Sequence, residues 1–324
     1  MVSIVSVDVV NGVVITLAVI TALPYLIFTH GGPSEVLAAL PPDMLTPLGG
    51  HNVLWVLGVA MPTFLLLFGE SGMYQKFFSA RDSRSARRAV VGMVLGIMVI
   101  ETCIALIAIT GRSLFPELLT ESSALGRAAS ETIILFIAKN ALPVWLGAAV
   151  LAAAVAIVLS SGSTMLLVPS TNLSRDIYER FINPKASDAK KLAIQRVSIV
   201  VFGLVGLLLL TQFETVLSMA LYAYSVVGAT LTPVLVAAFA WKRVTPQGAV
   251  ACLAGGLLTI IGFAAFDALG FDLALTIGGT VFDFASSDYI VLPGVVASIS
   301  LLISVSLLTK PSPKEVWEPF FEPL

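Results

Sequence analysis

The sequence predicts an all-α integral membrane protein with about eight transmembrane helices. Three observations carry that prediction. Hydrophobic residues make up 57% of the 324-residue chain and charged residues only 12%, against about 25% charged in an ordinary soluble domain. Eight separate apolar runs meet or approach the roughly 20 residues that a helix needs to cross the hydrocarbon layer. The basic residues gather between alternate runs, as they do when alternate loops face the cytoplasm.

A surface this poor in polar groups must meet lipid, so the lipid bilayer is the first partner the sequence implies. The net charge of -2 excludes a basic nucleic-acid binder. Cys103 and Cys252 lie inside apolar runs and are expected to be packed thiols, with no disulfide framework. His30 and His51 sit at the two ends of one polar loop, too few for a metal site.

The apolar runs cover residues 9–28, 53–68, 89–110, 141–168, 192–213, 216–241, 249–266 and 289–308. With the N-terminus inside, 15 of the 18 Lys and Arg residues fall on the cytoplasmic side, 14 in loops and Arg196 at the inner end of the fifth run, and only Arg112, Arg127 and Lys139 fall outside. An even number of spans puts both termini in the cytoplasm. Asp43, Glu117, Glu121, Asp283 and Asp288 lie on the outer side, which is compatible with that orientation. Residues 1–7 carry no Lys or Arg and no signal-peptide pattern. Either later loops orient the first span, or Met1 is an internal methionine of a longer protein. We expect the second.

The first run opens at Asp8, which suits a functional carboxylate at membrane depth or a simple helix N-cap. The second run holds Pro62 and Thr63, then Gly69, Glu70, Ser71 and Gly72. Such residues interrupt a helix and expose backbone groups to ions or solute, or they mark a kink followed by a helix end. The third run holds Glu101 mid-span and a GxxxG at Gly92 and Gly96, expected to pack a helix.

The fourth run is the most informative. The carbonyl of Ile157 and the hydroxyls of Ser160 and Ser161 stand at i, i+3 and i+4, on one helix face. Small hard cations take several oxygen ligands, and these three groups make half of such a set. Back-bonding of the serines to helix carbonyls is the competing reading. The sixth run places Tyr222, Tyr224 and Ser225 near Gly228, Thr230, Thr232 and Pro233, which suits a solute path or ordinary helix packing.

Four stretches, in order, resemble the sodium:solute symporter family, whose members include proline, pantothenate, monocarboxylate and sugar symporters. The strongest runs from Ser160-Ser161-Gly162-Ser163-Thr164-Met165-Leu166-Leu167-Val168 through Ser174-Arg175-Asp176-Ile177-Tyr178. The second is Met73-Tyr74-Gln75-Lys76-Phe77-Phe78-Ser79-Ala80-Arg81, followed by Ala86-Arg87-Arg88. The third is Thr232-Pro233, Trp241-Lys242-Arg243 and Gly248-Ala249. The fourth is Val7-Asp8-Val9-Val10-Asn11.

The resemblance implies the inverted-repeat fold of LeuT, here without most of the first repeat. It makes 8–30 the last helix of that repeat, 53–241 the complete second repeat, and 247–309 two additional C-terminal helices. It implies sodium-coupled symport of a small polar organic solute, such as an amino acid or carboxylate, with no cofactor and sodium as the coupling ion. Ile157, Ser160 and Ser161 become sodium ligands, and Asp8 joins the inner sodium path. Thr63, Leu66, Tyr222, Tyr224 and Ser225 become the solute-binding residues. Thr63 stands where sugar-transporting members carry asparagine, which argues against a sugar. The first repeat's own broken helix, which would supply further sodium ligands, has no counterpart, so a missing N-terminal repeat is an expected partner. A bacterial inner membrane is the expected setting. The rivals are a symporter-like sensory module and a split, non-transporting subunit. An intramembrane enzyme is the least expected rival, and no enzyme is expected: no Ser/His/Asp set, HExxH or Gly-rich phosphate loop occurs at a credible depth.

Overall fold

The computed structural model describes residues 2–70, 72, 74, 78, 80–119, 129–211, 213, 215–271, 273–277 and 280–321, with the side chains of 2–8, 119, 277, 319 and 320 outside that description. Several sequence expectations therefore lie outside the described residues. These are the side chain of Asp8, and Ser71, Met73, Gln75, Lys76, Phe77, Ser79, Glu121 and Arg127.

Among the described residues seven helices are long and apolar enough to cross a membrane, and an eighth, Val53–Gly69, is a shorter apolar helix. All eight coincide with the apolar runs. The chain divides into two units. One comprises Met1–Pro42 and Tyr74–Thr215, the other Asp43–Met73 and Val216–Leu324.

The first unit is built on α1 (Val2–Thr29), which leads into the short α2 (Pro33–Ala38). Its other described helices are α4 (Ser83–Leu114), α5 (Ile133–Asn140), α6 (Val144–Asn172) and α7 (Asp188–Leu210). Asp82 caps α4, its carboxylate accepting the Ser85 amide at 2.6 Å. Ala18, Val19, Ala22 and Leu26 of α1 meet Ile107 of α4, Ile137 of α5 and Leu146, Val150 and Ala153 of α6 in one core. Small residues on α1 and α6 let two backbones approach, which suits helix association without a hydrophobic drive. Gly92 and Gly96 do not serve this purpose: no described atom lies within 4 Å of a Cβ built on either. The GxxxG expectation for α4 fails because its glycines lie off the face that packs.

The chain does not leave α6 for a loop at Ser174. It continues as π-helix over Leu173–Ile182. Three contacts hold this wide turn against α7. Ser174 donates to the Lys191 carbonyl at 2.9 Å, Gln195 donates to the Thr171 hydroxyl at 2.7 Å, and Lys191 pairs with Glu179 at 2.5 Å.

The second unit holds α3 (Val53–Gly69), α8 (Val216–Ala240), α9 (Pro246–Ala268) and α10 (Val291–Leu308). A hairpin pairs β1 (Ala274–Ile277) with β2 (Thr280–Asp283), and α11 (Lys314–Phe321) follows α10. Asn52 caps α3 by accepting the Trp55 amide at 2.8 Å, and Thr245 caps α9 just before Pro246. Ala229, Ile260, Ile290, Val291 and Val295 form the core, with Met61, Leu65, Tyr222 and Val226 packed on it. His51 stacks on Trp55 at 3.7 Å between ring centroids, and Trp55 donates to Asp288 at 2.8 Å.

Candidate functional site

On α6 the residues at positions 146, 150, 153, 157, 160 and 164 recur every three or four residues, so they share a face. Leu146, Val150 and Ala153 are buried in the first unit's core. The same face then changes character. Ile157 is 39% exposed, Ser160 and Thr164 are half-buried, and Ser161 beside them is exposed. An apolar, packed stripe becomes a polar, open one without any break in the helix.

The helix at this level is continuous, so the Ile157 carbonyl takes one amide and keeps a second lone pair. Back-bonds here come from Ser163, to the Leu159 carbonyl at 2.6 Å, and from Thr164, to the Ser160 carbonyl at 3.3 Å. Ile157, Ser160 and Ser161 are thus brought together by the geometry of one helix. Their oxygens are uncharged and hard, which fits a monovalent cation better than a soft metal. Among the described residues, no three His, Cys, Asp or Glu side chains come together as a metal site.

The second unit holds the candidate solute residues. Ser225 is fully buried on α8, and its hydroxyl has no hydrogen-bond partner among the described residues. Tyr222, three residues earlier, is half-buried and donates its hydroxyl to the Ala285 carbonyl beyond the hairpin. That bond gives Tyr222 a structural task. Tyr224 is half-buried. On α3, Met61 and Leu65 pack on the unit's core, while Thr63 is exposed and Leu66 half-buried.

α3 stays helical through Pro62 and Thr63 and ends at Gly69. Its departure comes at Glu70, whose backbone is extended with φ -80 and ψ 113. Gly69 is needed there, because a Cβ at that position would meet the Thr232 hydroxyl at 2.7 Å and Val227 at 2.9 Å. Glu101 is exposed on α4.

Sequence reasoning passed over one polar cluster. Thr171, Ser174, Arg175, Glu179, Asp188, Lys191 and Gln195 line a cavity of about 280 Å³ in the first unit. The Thr171, Ser174 and Arg175 positions follow the Ser-rich motif directly, and their periodicity from Thr164 is the signal that could have drawn attention to them.

The chain is similar to characterised transporters along most of its length. It is 26% identical over 321 residues to the high-affinity proline transporter PutP of Bacillus subtilis, covering 97% of this chain and 62% of that protein. It is 28% identical over 244 residues to the sodium/proline symporter of Escherichia coli, covering 74% of this chain and 48% of that one. The chain therefore spans about half to two thirds of the length of these relatives. A solved structure of a Na+-coupled sialic acid symporter, in a substrate-bound outward-open state, matches with a TM-score of 0.62 at 16% identity. That match covers 96% of this chain and 63% of the other, and it establishes the fold as LeuT-like. The model of the sodium:solute symporter family matches residues 1–256, and the chain belongs to that family.

Proposed function

We propose that the protein is a sodium-coupled symporter of a small polar organic solute. The observation that carries this reading is the polar turn on α6, where Ile157, Ser160 and Ser161 place three hard oxygens on one face of a membrane helix. A membrane helix face rarely turns polar without a task, because polar groups are costly to place at membrane depth. Sodium is the ion these oxygens suit, and it is the ion named for the relatives in Escherichia coli and in the solved structure.

Asp8 completes the ion path in this proposal. α1 packs on α6, and as first and fourth of an alternating set of spans the two run in opposite directions. The part of α1 before Ala18 then lies level with the part of α6 after Ala153. A carboxylate there would receive the ion as it leaves the hydroxyls.

Solute binding falls to the second unit. Ser225 is its best-supported member, since its buried hydroxyl has no partner among the described residues. Tyr224, Thr63 and Leu66 join it, and Tyr222 supports them through the Ala285 carbonyl. An amino acid or carboxylate suits hydroxyl donors, and proline is the first solute to test, given the similarity to two proline transporters. The segments 53–241 and 247–309 act as the second repeat and its C-terminal extension, with 8–30 closing the first repeat. The setting is a bacterial inner membrane with both termini cytoplasmic, as the basic loops suggest.

The test is uptake of labelled proline and a panel of carboxylates into proteoliposomes holding the full-length protein, with and without an inward sodium gradient. Uptake that needs the gradient supports the proposal. Equal uptake in potassium, or none for any polar solute, overturns it.

A further inference from the structure

The second unit carries an apolar cavity that the transport reading does not use. It has a volume of about 330 Å³ and lies where the end of α8, the start of α9 and α11 meet. Leu235, Ala238 and Phe239 line one side, Ala249 another, and Val316 and Trp317 a third. Ser312 closes the wall by donating to the Val244 carbonyl at 3.1 Å.

The rim of this cavity is cationic and firmly built. Lys242 is exposed, and its ammonium lies 5.2 Å from the Trp317 ring centroid and 5.4 Å from that of Phe321. This arrangement fixes the position of the charge, and no hydrogen bond from it to a described residue competes. Arg243 anchors the turn by donating to the Leu307 and Thr309 carbonyls at the end of α10, at 3.2 and 2.8 Å. Its other terminal nitrogen has no acceptor among the described residues. Lys310 follows directly and is exposed. Lys314 is matched within α11 by Glu318 at 2.7 Å. Lys242, Arg243 and Lys310 therefore stand against the single described carboxylate of Glu315.

Trp241 and Trp317 with neighbouring lysines are what the headgroup level of a membrane selects. An apolar cavity that opens beside fixed cations at that level matches one kind of molecule in both its parts. We propose that this cavity is a binding site for an anionic phospholipid of the cytoplasmic leaflet. An acyl chain fills the space between α8, α9 and α11, and the phosphate sits at Lys242. The lipid would hold α11 against α8 and α9, independent of any transported solute.

The test is native mass spectrometry of the full chain released from detergent, with phosphatidylglycerol or phosphatidylcholine of identical acyl chains. The proposal predicts several-fold better retention of phosphatidylglycerol. Lys242→Gln should abolish that preference, Lys242→Arg should keep it, and Arg87→Gln at the separate basic start of α4 should leave it intact. Ala238→Phe, which fills the cavity from an exposed position, should lower retention of the lipid. Millimolar inorganic phosphate should not displace it. Equal retention of both lipids, displacement by phosphate alone, or a preference unchanged by Lys242→Gln would overturn the proposal.

Discussion

Thr232 on α8 donates its hydroxyl to the main-chain carbonyl of Leu65 on α3, at 2.6 Å. This bond crosses between two helices that lie 167 residues apart in sequence. It lies one turn after Pro62 and one turn before α3 ends at Gly69. Thr232→Val keeps the side-chain shape and removes the donor. Interhelical bonds of this kind contribute about 1 kcal/mol in membranes. Thermal unfolding in detergent should show that loss, and Thr232→Ser should recover most of it.

Glycines in this chain divide sharply by surroundings. Gly69→Ala places a methyl against the Thr232 hydroxyl and Val227, an overpacking expected to cost about 1–3 kcal/mol. Gly92→Ala and Gly96→Ala meet no described atom, and the better helix propensity should raise stability by about 0.5–1 kcal/mol each. Melting curves of the three variants compare these directly. A destabilised Gly92→Ala would reveal a partner for that face of α4.

Ser225 separates stability from binding. A buried hydroxyl without a partner costs about 1–3 kcal/mol, so Ser225→Ala should be as stable as the parent or more so. If the hydroxyl is kept for solute, the same variant should bind solute several-fold more weakly. Isothermal titration and thermal melting of one preparation give both values. Raised stability with unchanged binding would remove Ser225 from the solute site.

Asp82 makes the start of α4 sensitive to acid. The Ser85 amide bonded to its carboxylate holds the group below its ordinary value of 3.8. A depressed carboxylate stabilises the fold above its unfolded pKa, and that stability is lost as pH falls through the folded value. Protection of the Ser85 amide, taken relative to its intrinsic exchange rate at each pH, should therefore be high at neutral pH and fall below the ordinary carboxylate range. Asp82→Asn should keep a cap but lose the pH dependence of this protection. Protection that is equally strong at acid pH in the parent would contradict the account.

The eight spans were legible because lipid leaves a helix no alternative to a long apolar run. The cap at Asn52 lies immediately before such a run, whereas those at Asp82 and Thr245 stand seven and four residues ahead of one, where the structure shows them and the apolar runs do not. What escaped were features decided by distant neighbours. The Tyr222–Ala285 bond joins residues 63 apart, and no periodicity reports it. The π-helix over Leu173–Ile182 is held by Lys191 across a turn, through Ser174 and Glu179. The hairpin after α9 had a signal, Gly278-Gly279 between two runs rich in β-branched residues, but the segment between the last two apolar runs is read from sequence only as an outer loop. For the candidate site, the face of α6 followed from spacing, whereas the burial of Ser225 needed the packed unit.

The central claim is that the polar turn of α6 holds sodium. Equilibrium binding of radioactive sodium to the purified full-length protein tests it most directly, comparing the parent with a Ser160→Ala, Ser161→Ala variant. The account predicts saturable sodium binding in the parent and at least a tenfold weaker affinity in the variant, with its thermal stability retained. Sodium binding of equal affinity in a folded variant would contradict it.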